Sequence, residues 1–414
     1  MLFSVEFPQI LAHLGDLPYG LQPVRVPPDG RLCLIIKINK EAILTTRLNR
    51  QIKIYLIPDV HSPGRAHGCI TAFFDDHDEP LVIYTPLFAE DALATDFGLL
   101  LGQGVFNLYF FDEHDRELLG VSARLAEADR FGATWNGCRL SMFDLARVPD
   151  MLNAMHDWFA YRTASDDAAA FTVHLESELY PADFVFIDAR PEATDYRGAG
   201  ADAAVNSLER EEPGAYQERD IARLLRRAFA ADCVFLNPIR NDTGKELADV
   251  MCITDDIILV VQAKDSPNTE RALRRSIERK RATIRAHIEK GAAQLRGAMT
   301  YILGREAIVI RDDDDPQTLV VGDRLICGLV VVREMFDDDY RACSIPVLAA
   351  AQACGAPAVL LEYAALHVMA LRLPSPARLM NGLLQLFEVA LQKGEYPKPR
   401  FLLGPVDKAP QTGA

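Results

Sequence analysis

The sequence has no C-x-x-C pair; its eight cysteines (33, 69, 138, 233, 252, 327, 343 and 354) are scattered. That pattern argues against a zinc or disulfide framework and for buried thiols in a reducing cytosol, so a cytoplasmic protein is expected. No G-x-x-x-x-G-K-[ST] occurs, and Gly102-Gln103-Gly104 is too short to cradle a phosphate, which disfavours an intrinsic P-loop ATPase. There is no G-x-S-x-G, and the nine histidines form no H-x-x-x-H. Basic charge is in deficit: 44 Lys and Arg against 59 Asp and Glu leave a net charge of −15. Any nucleic-acid surface must therefore be a local basic patch. The first residues, MLFSVEFPQILAHLGDLP, lack a basic leader and carry Glu6, so no signal peptide is expected. Nor is a membrane partner. The stretch from Cys343 to Leu371 has Glu362 as its sole formal charge, but Pro346, Gly355 and Pro357 divide it into helix, strand and helix.

What is present is an ordinary globular composition, 49% hydrophobic and 25% charged over 414 residues. At about 100–200 residues per domain this length suggests two to four domains. Residues 1 to about 130 read mostly as β. RLCLIIKI (31–38), QIKIYLI (51–57), CITAFF (69–74), LVIYT (81–85), VFNLYFF (105–111) and ELLGVSARL (117–125) are short and rich in β-branched and aromatic residues. Turn chemistry separates them, as in Pro27-Pro28-Asp29-Gly30 and Asp75-Asp76-His77-Asp78. Residues 141–162 read as a helix capped by Ser141, and FTVHL (171–175) and DFVFIDA (183–189) as strands. A β-rich N-terminal domain over 1–190 is expected, serving recognition or a partner. His61 and His67 read as loop residues. The polar, Gly- and Ala-rich residues 191–215 read as a linker.

The second half alternates helix and strand, which predicts an α/β arrangement over 216–405, α+β for the whole chain, with a flexible tail at 406–414. Gln217–Phe229 is an amphipathic helix. CVFLNP (233–238), LADVMCIT (247–254), IILVVQAK (257–264), LICGLVVV (325–332) and AVLLEY (358–363) are strands. One long basic helix is expected over 269–302, and further helices near 346–354, 364–371 and 376–392. The runs Asp312–Asp315 and Asp337–Asp339 read as solvated loops rather than metal sites.

The chemistry concentrates in ELADVMCITDDIILVVQAKD (246–265). A hairpin at Asp255-Asp256 sets the start of the first strand beside the end of the second. Asp249 then neighbours Gln262 and Lys264, which share one face by period-two alternation. A lysine among Ile257–Val261 needs a carboxylate partner. Glu246, three positions before Asp249, should face the other side of the strand.

This pattern resembles the PD-(D/E)XK nuclease superfamily, with Glu218 in YQERDIARLLRRAF as the helix acid, Asp249 as the strand acid and Gln262-Ala263-Lys264 as the last element. The Gln form is similar to that of Mrr-type restriction endonucleases. The resemblance covers roughly 210–400 and implies a restriction-endonuclease-like mixed sheet flanked by helices. It implies a deoxyribonuclease dependent on Mg²⁺ or Mn²⁺, with a role in restriction or antiviral defence. Asp249, Glu218, the Ala263 carbonyl and Gln262 would hold the metal. Lys264 would orient the attacking water or stabilise developing charge. Gln262 stands where most of the family has Glu. It brings an amide oxygen without charge, which leaves open a lapsed site on a nucleic-acid-binding or assembly subunit. The bland alternatives are an Asp249–Arg240 pair, a snorkelling Lys264, a core amide at Gln262 and an exposed helix acid at Glu218. Glu211, Glu212 and Glu246 are rivals to Glu218, and Glu246 ranks second.

Between Arg271 and Arg296 nine basic residues oppose Glu278 and Glu289. Arg271, Arg274, Arg275, Arg281 and Arg285 can share a stripe suited to phosphate contact, against the alternative of a solvated or partner-facing helix. Gln294 is a supporting candidate on the same helix. DNA is the expected partner, with RNA open, and the N-terminal domain is a candidate surface for a protein partner or a homo-oligomer.

Overall fold

β-branched and aromatic residues dominate the short apolar runs of the first half. In the computed structural model these runs pair into one mixed sheet of nine strands. The structure describes residues 2–14, 19–60, 62–74, 80–181, 186–190, 194–199, 204–312, 315–336 and 338–399. Helices α1 (Phe3–Glu6) and α2 (Pro8–Leu14) precede β1 (Gly20–Val26), β2 (Arg31–Lys37), α3 (Lys40–Asn49), β3 (Gln51–Pro58), β4 (Arg65–Phe73) and β5 (Leu81–Pro86). Then come α4 (Ala92–Gly102), β6 (Val105–Phe111), β7 (Glu117–Leu125), α5 (Ala128–Gly137), β8 (Arg139–Leu140), α6 (Val148–Ala160), α7 (Ala164–Ala169) and β9 (Phe171–Glu178). The strand order is β1-β2-β6-β7-β9-β3-β4-β5, with β8 beside β4. Leu34, Ile36, Ile52, Ile54 and Leu108 pack from this sheet into a core shared with Phe97, Leu100 and Phe131 of α4 and α5.

The first 130 residues are thus less purely β than their composition suggests. α3 and α4 are short helices whose starts are fixed locally, by Asn39 Oδ1 accepting from Ala42 N–H and Asp91 Oδ1 from Leu93 N–H. The expected cap at Ser141 is not one. Ser141 bridges Phe88, and a 3₁₀ turn capped by Asp144 leads into α6. His67 is a buried strand residue 3.7 Å from Asp59, not a loop residue. His61, the acidic turn at 75–79 and the tail at 406–414 lie outside the described residues.

In the second half, β10 (Phe186–Asp188) pairs with β11 (Ala204–Asn206). Next come α8 (Gly214–Leu225), β12 (Val234–Leu236), β13 (Ile239–Arg240), β14 (Val250–Ile253), β15 (Ile257–Lys264), α9 (Glu270–Leu273), α10 (Ile277–Leu303), β16 (Ala307–Asp312) and β17 (Asp315–Val320). β18 (Leu325–Val332), α11 (Tyr340–Cys354), β19 (Ala358–Glu362), α12 (Tyr363–Arg372) and α13 (Pro376–Lys393) complete the described chain. The main sheet runs β12-β14-β15-β18-β19, antiparallel as far as β15 and parallel from β15 to β19, and β13-β16-β17 form a small sheet beside it. The chain is a mixed α/β protein of α+β class. β15 is buried along nearly its whole length because helices cover both faces. On one side, Ile284, Ile288, Ala292, Leu295 and Met299 of α10 recur at helical spacing. On the other, α8 offers Ile221, Leu224 and Leu225.

Two elements depart from expectation. The basic helix is broken: Thr269 caps α9, the chain leaves the helix at Arg274–Ser276, and α10 starts afresh. The polar segment read as a linker is packed where it is described. Tyr196 lies in the C-terminal core, Leu208 in the N-terminal core, and Arg210 is buried at 3% exposure. Arg210 is its one buried charge among the described residues, while Asp195, Glu209, Glu211 and Glu212 stay exposed. The weakly charged stretch to Leu371 forms α11, β19 and most of α12, and no described helix is long and apolar enough to cross a membrane.

Candidate active site

Thr254 Oγ1 accepts from the N–H groups of Asp256 and Ile257 and closes the turn between β14 and β15. The resulting register pairs Val250 with Val261 and sets Asp249 beside the end of β15. Asp249 is 5% exposed. Its Oδ2 accepts from Ala263 N at 2.6 Å and from Lys264 Nζ at 3.1 Å. Lys264 Nζ also donates to the Ala263 carbonyl at 2.7 Å. The carboxylate that Lys264 requires is therefore Asp249. Arg240 pairs instead with Asp242 and lies over Tyr301.

Glu218 of α8 joins this group through Asn237. Asn237 Nδ2 donates to Glu218 Oε2 at 3.2 Å, and Asn237 N donates to the Asp249 carbonyl at 2.9 Å. Asn237 has φ of +50°, a left-handed conformation that Asn tolerates. Burial, then the charge of Asp249, raises the pKa of Glu218. Glu246 also reaches the site, against expectation. It is bridged to Ile239 and separated from β14 by the irregular residues 247–249, so the alternation of β14 does not reach it, and its carboxyl group lies close to that of Asp249. Partial burial, then the proximity and negative charge of Asp249, push its pKa up to about 8. At neutral pH Glu246 thus holds a proton against a neighbouring carboxylate. Exposed Glu211 is 3.6 Å from Arg271, and Glu212 is exposed.

Gln262 is 3% exposed, and its Oε1 accepts no hydrogen bond among the described residues. Among those residues, no group of three or more His, Cys, Asp and Glu side chains is arranged to hold a metal ion. Mg²⁺ asks for less, because it keeps several waters and needs one or two carboxylates. The donors here suit such a hard cation: the Asp249 carboxylate, the Ala263 carbonyl and the unsatisfied Gln262 oxygen. The Lys264 ammonium already bridges the first two, a cation between two oxygens.

Three residues that the sequence pattern does not single out belong to this region. Asn237 ties the helix acid to the strand acid; its signal is the Asn-Pro turn. Gly291 of α10 lets that helix close over β15, since a Cβ there would lie 3.0 Å from Val330 Cγ1 and 3.4 Å from Lys264 Cγ. His287, one turn earlier, is half-buried; its pKa is lowered by burial, and it feels the charges of Asp265 and Lys264. Gln294 is exposed, one turn beyond Gly291 and two beyond His287 along α10.

The arginine stripe divides. Arg281 Nη1 lies 2.6 Å from Asp338 Oδ2 with its guanidinium over Phe336, and Arg285 pairs with Asp339, which is buried. These two charges are met by the acidic run, whose Asp338 and Asp339 are paired rather than simply solvated. Arg271 and Arg274 are exposed, beside Glu211 and Glu270, and Arg275 is half-buried.

No family model, curated protein or solved structure matches the chain.

Proposed function

We propose that this protein is a metal-dependent nuclease that hydrolyses phosphodiester bonds of DNA. The observation that carries the reading is the convergence on the end of β15. Asp249 there binds both Ala263 N–H and Lys264 Nζ, with Glu218 and Glu246 beside it. Asp249, the Ala263 carbonyl and Gln262 would hold Mg²⁺ or Mn²⁺, with Glu218 nearby. Bound there, the ion supplies positive charge to the scissile phosphate and acidity to a water molecule. Lys264 neutralises charge that develops on the phosphoryl oxygens. With no cation bound, Glu246 keeps a proton on its carboxyl group beside Asp249. Arg271, Arg274 and Arg275 contribute sequence-independent phosphate contacts. The same chemistry suits restriction or antiviral defence.

A second reading has its own support. Gln262 contributes no charge, and the Lys264 ammonium occupies the oxygen pair that a cation would use. On that reading the fold is a lapsed nuclease that binds nucleic acid or serves an assembly. The deciding experiment incubates the full chain with supercoiled plasmid, single strands and RNA in Mg²⁺ or Mn²⁺, with and without chelator. Lys264→Ala is expected to lower kcat by about 100–1,000-fold while binding persists. Metal-independent binding with no cleavage of any substrate selects the second reading.

A further inference from the structure

The turn between β6 and β7 reads Asp112-Glu113-His114-Asp115-Arg116. Five titratable residues at a hairpin tip belong in water. Here four are at most 4% exposed, and Asp115 is half-buried. Burial of such a tip requires partners: Asp112 pairs with Arg116 inside the tip, Asp115 with Lys37 of β2, and the C-terminal domain supplies the rest. Arg116 makes a two-pronged pair with Asp220 of α8, at 3.0 Å and 3.1 Å. His114 Nε2 is 2.5 Å from the Tyr363 hydroxyl. Glu113 Oε1 accepts from Arg333 Nη1 at 3.1 Å, and Glu41 Oε2 accepts from Arg333 Nε at 2.7 Å.

These contacts share a location. The parallel strands β15, β18 and β19 end in register, with Lys264 beside Val332 and Val332 beside Glu362. The next residue of each strand is held by the N-terminal domain. Asp265 accepts from Lys40 Nζ at 2.9 Å, Arg333 binds Glu41 and Glu113, and Tyr363 meets His114. Lys40 and Asp265 are both buried, with side chains 5% and 0% exposed. Ligands of α/β sheets bind at the carboxyl edge of the parallel strands, the edge that the N-terminal domain covers. Two of the four grips fall next to candidate site residues. Asp265 follows Lys264, and Asp220 is two positions after Glu218.

We infer that the N-terminal domain is a built-in part of the candidate site, with Lys40 and Arg116 as positioning residues. Lys40 holds the end of β15 that presents Lys264, and Arg116 holds the helix that presents Glu218. The inference deepens the nuclease reading and rests on it for its catalytic consequence; the mechanical coupling stands by itself.

The test uses the full chain. Lys40→Met/Asp265→Leu removes the pair without stranding either charge in the interior. The variant is expected to melt cooperatively. Hydrogen exchange of the Ala263 amide, which donates to Asp249, should quicken by about tenfold or more. With Lys264 misplaced, kcat for plasmid nicking should fall by about tenfold to a hundredfold, with KM within about twofold. Lys40→Arg keeps the charge and should keep both rates. Arg25→Ala breaks an exposed ion pair of the same domain with Asp96 and should change nothing. Arg116→Lys, which keeps charge opposite Asp220 but loses the fork, is the second probe and should loosen exchange across 214–225 and lower kcat. The inference is overturned if folded variants at both grips keep native exchange and native kcat. If the wild type cleaves nothing, yet exchange at Ala263 still quickens in the double variant, the nuclease reading fails and the coupling stands.

Discussion

On the proposed nuclease reading, Gln262 is the residue on which activity turns. Its Oε1 is buried without a hydrogen bond among the described residues, close in sequence and in the sheet to Asp249. Gln262→Glu places a second negative charge there. Without metal, the variant should lose several kcal/mol, since an unpaired buried carboxylate lies near another. With Mg²⁺ the loss should be largely recovered, and the metal-induced rise in melting temperature should exceed that of the wild type. Melting curves across a Mg²⁺ titration measure both, and destabilisation that Mg²⁺ leaves untouched would refute the site. Glu246 carries the pH dependence. Its pKa stands above the ordinary 4.5, at about 8, so between these values the folded state binds more proton than the unfolded state. Its stabilising contribution is therefore complete below pH 4.5 and is lost as pH rises through about 8. Glu246→Gln should flatten the stability profile across that window, as read by denaturant unfolding at several pH values. A profile with the wild-type slope would remove Glu246 from the cluster. Its place at a strand end makes Asp249 look peripheral, a residue whose change to Ala should leave the fold intact. Its burial and its bond to Ala263 N–H correct that: Asp249→Asn, which keeps an acceptor, is the cleaner probe.

At the scale of the element, the break between α9 and α10 decides which arginines can act. Arg271, Arg274 and Arg275 belong to the short first piece and its exit, whereas Arg281 and Arg285 face Asp338 and Asp339. Arg271 and Arg274 also sit beside acids, Glu211 and Glu270, but those pairs are exposed and weak, whereas Arg281 is largely covered and Arg285 faces buried Asp339. An arginine held that firmly releases few counterions when it meets phosphate. Replacing Arg271, Arg274 and Arg275 with Gln should therefore lower the salt slope of log K on duplex DNA by about 0.9 for each phosphate left without its arginine. Replacing Arg281 and Arg285 should change it less. Anisotropy across a salt series, on unrelated duplexes, distinguishes the two sets; equal effects would mean that the acidic run releases its arginines on binding.

For the whole molecule, the relevant structure is the polar layer between the two sheets. It includes Lys40–Asp265, Arg116–Asp220 and Arg333 with Glu41 and Glu113, all largely desolvated. Breaking one buried pair by removing a partner costs about 3–5 kcal/mol. Separating the halves would strand several at once. The full chain should therefore unfold in one calorimetric transition, with the calorimetric and van't Hoff enthalpies in agreement. Two resolved transitions would show that the halves are thermodynamically independent.

Short-range order was legible in the sequence. β15 reads directly from IILVVQAK, the hairpin from Asp255-Asp256, and the meeting of Asp249 with Lys264 from antiparallel geometry, because each rests on local periodicity and turn chemistry. Glu218 was legible only through the resemblance to a nuclease pattern. Other features depended on the fold alone. Glu246 turns into the site because it lies outside β14, bridged to Ile239 rather than continuing that strand. Arg281 and Arg285 are neutralised by acids more than fifty residues away, and the charged tip 112–116 is buried against the second half of the chain. Composition marks charged residues as solvated, since burying one alone is costly. Complementary charges remove that cost only once tertiary packing brings distant segments together. For that reason the sequence by itself determined the strands and the nucleus of the candidate site, and the tertiary structure decided which charges remain available to a ligand.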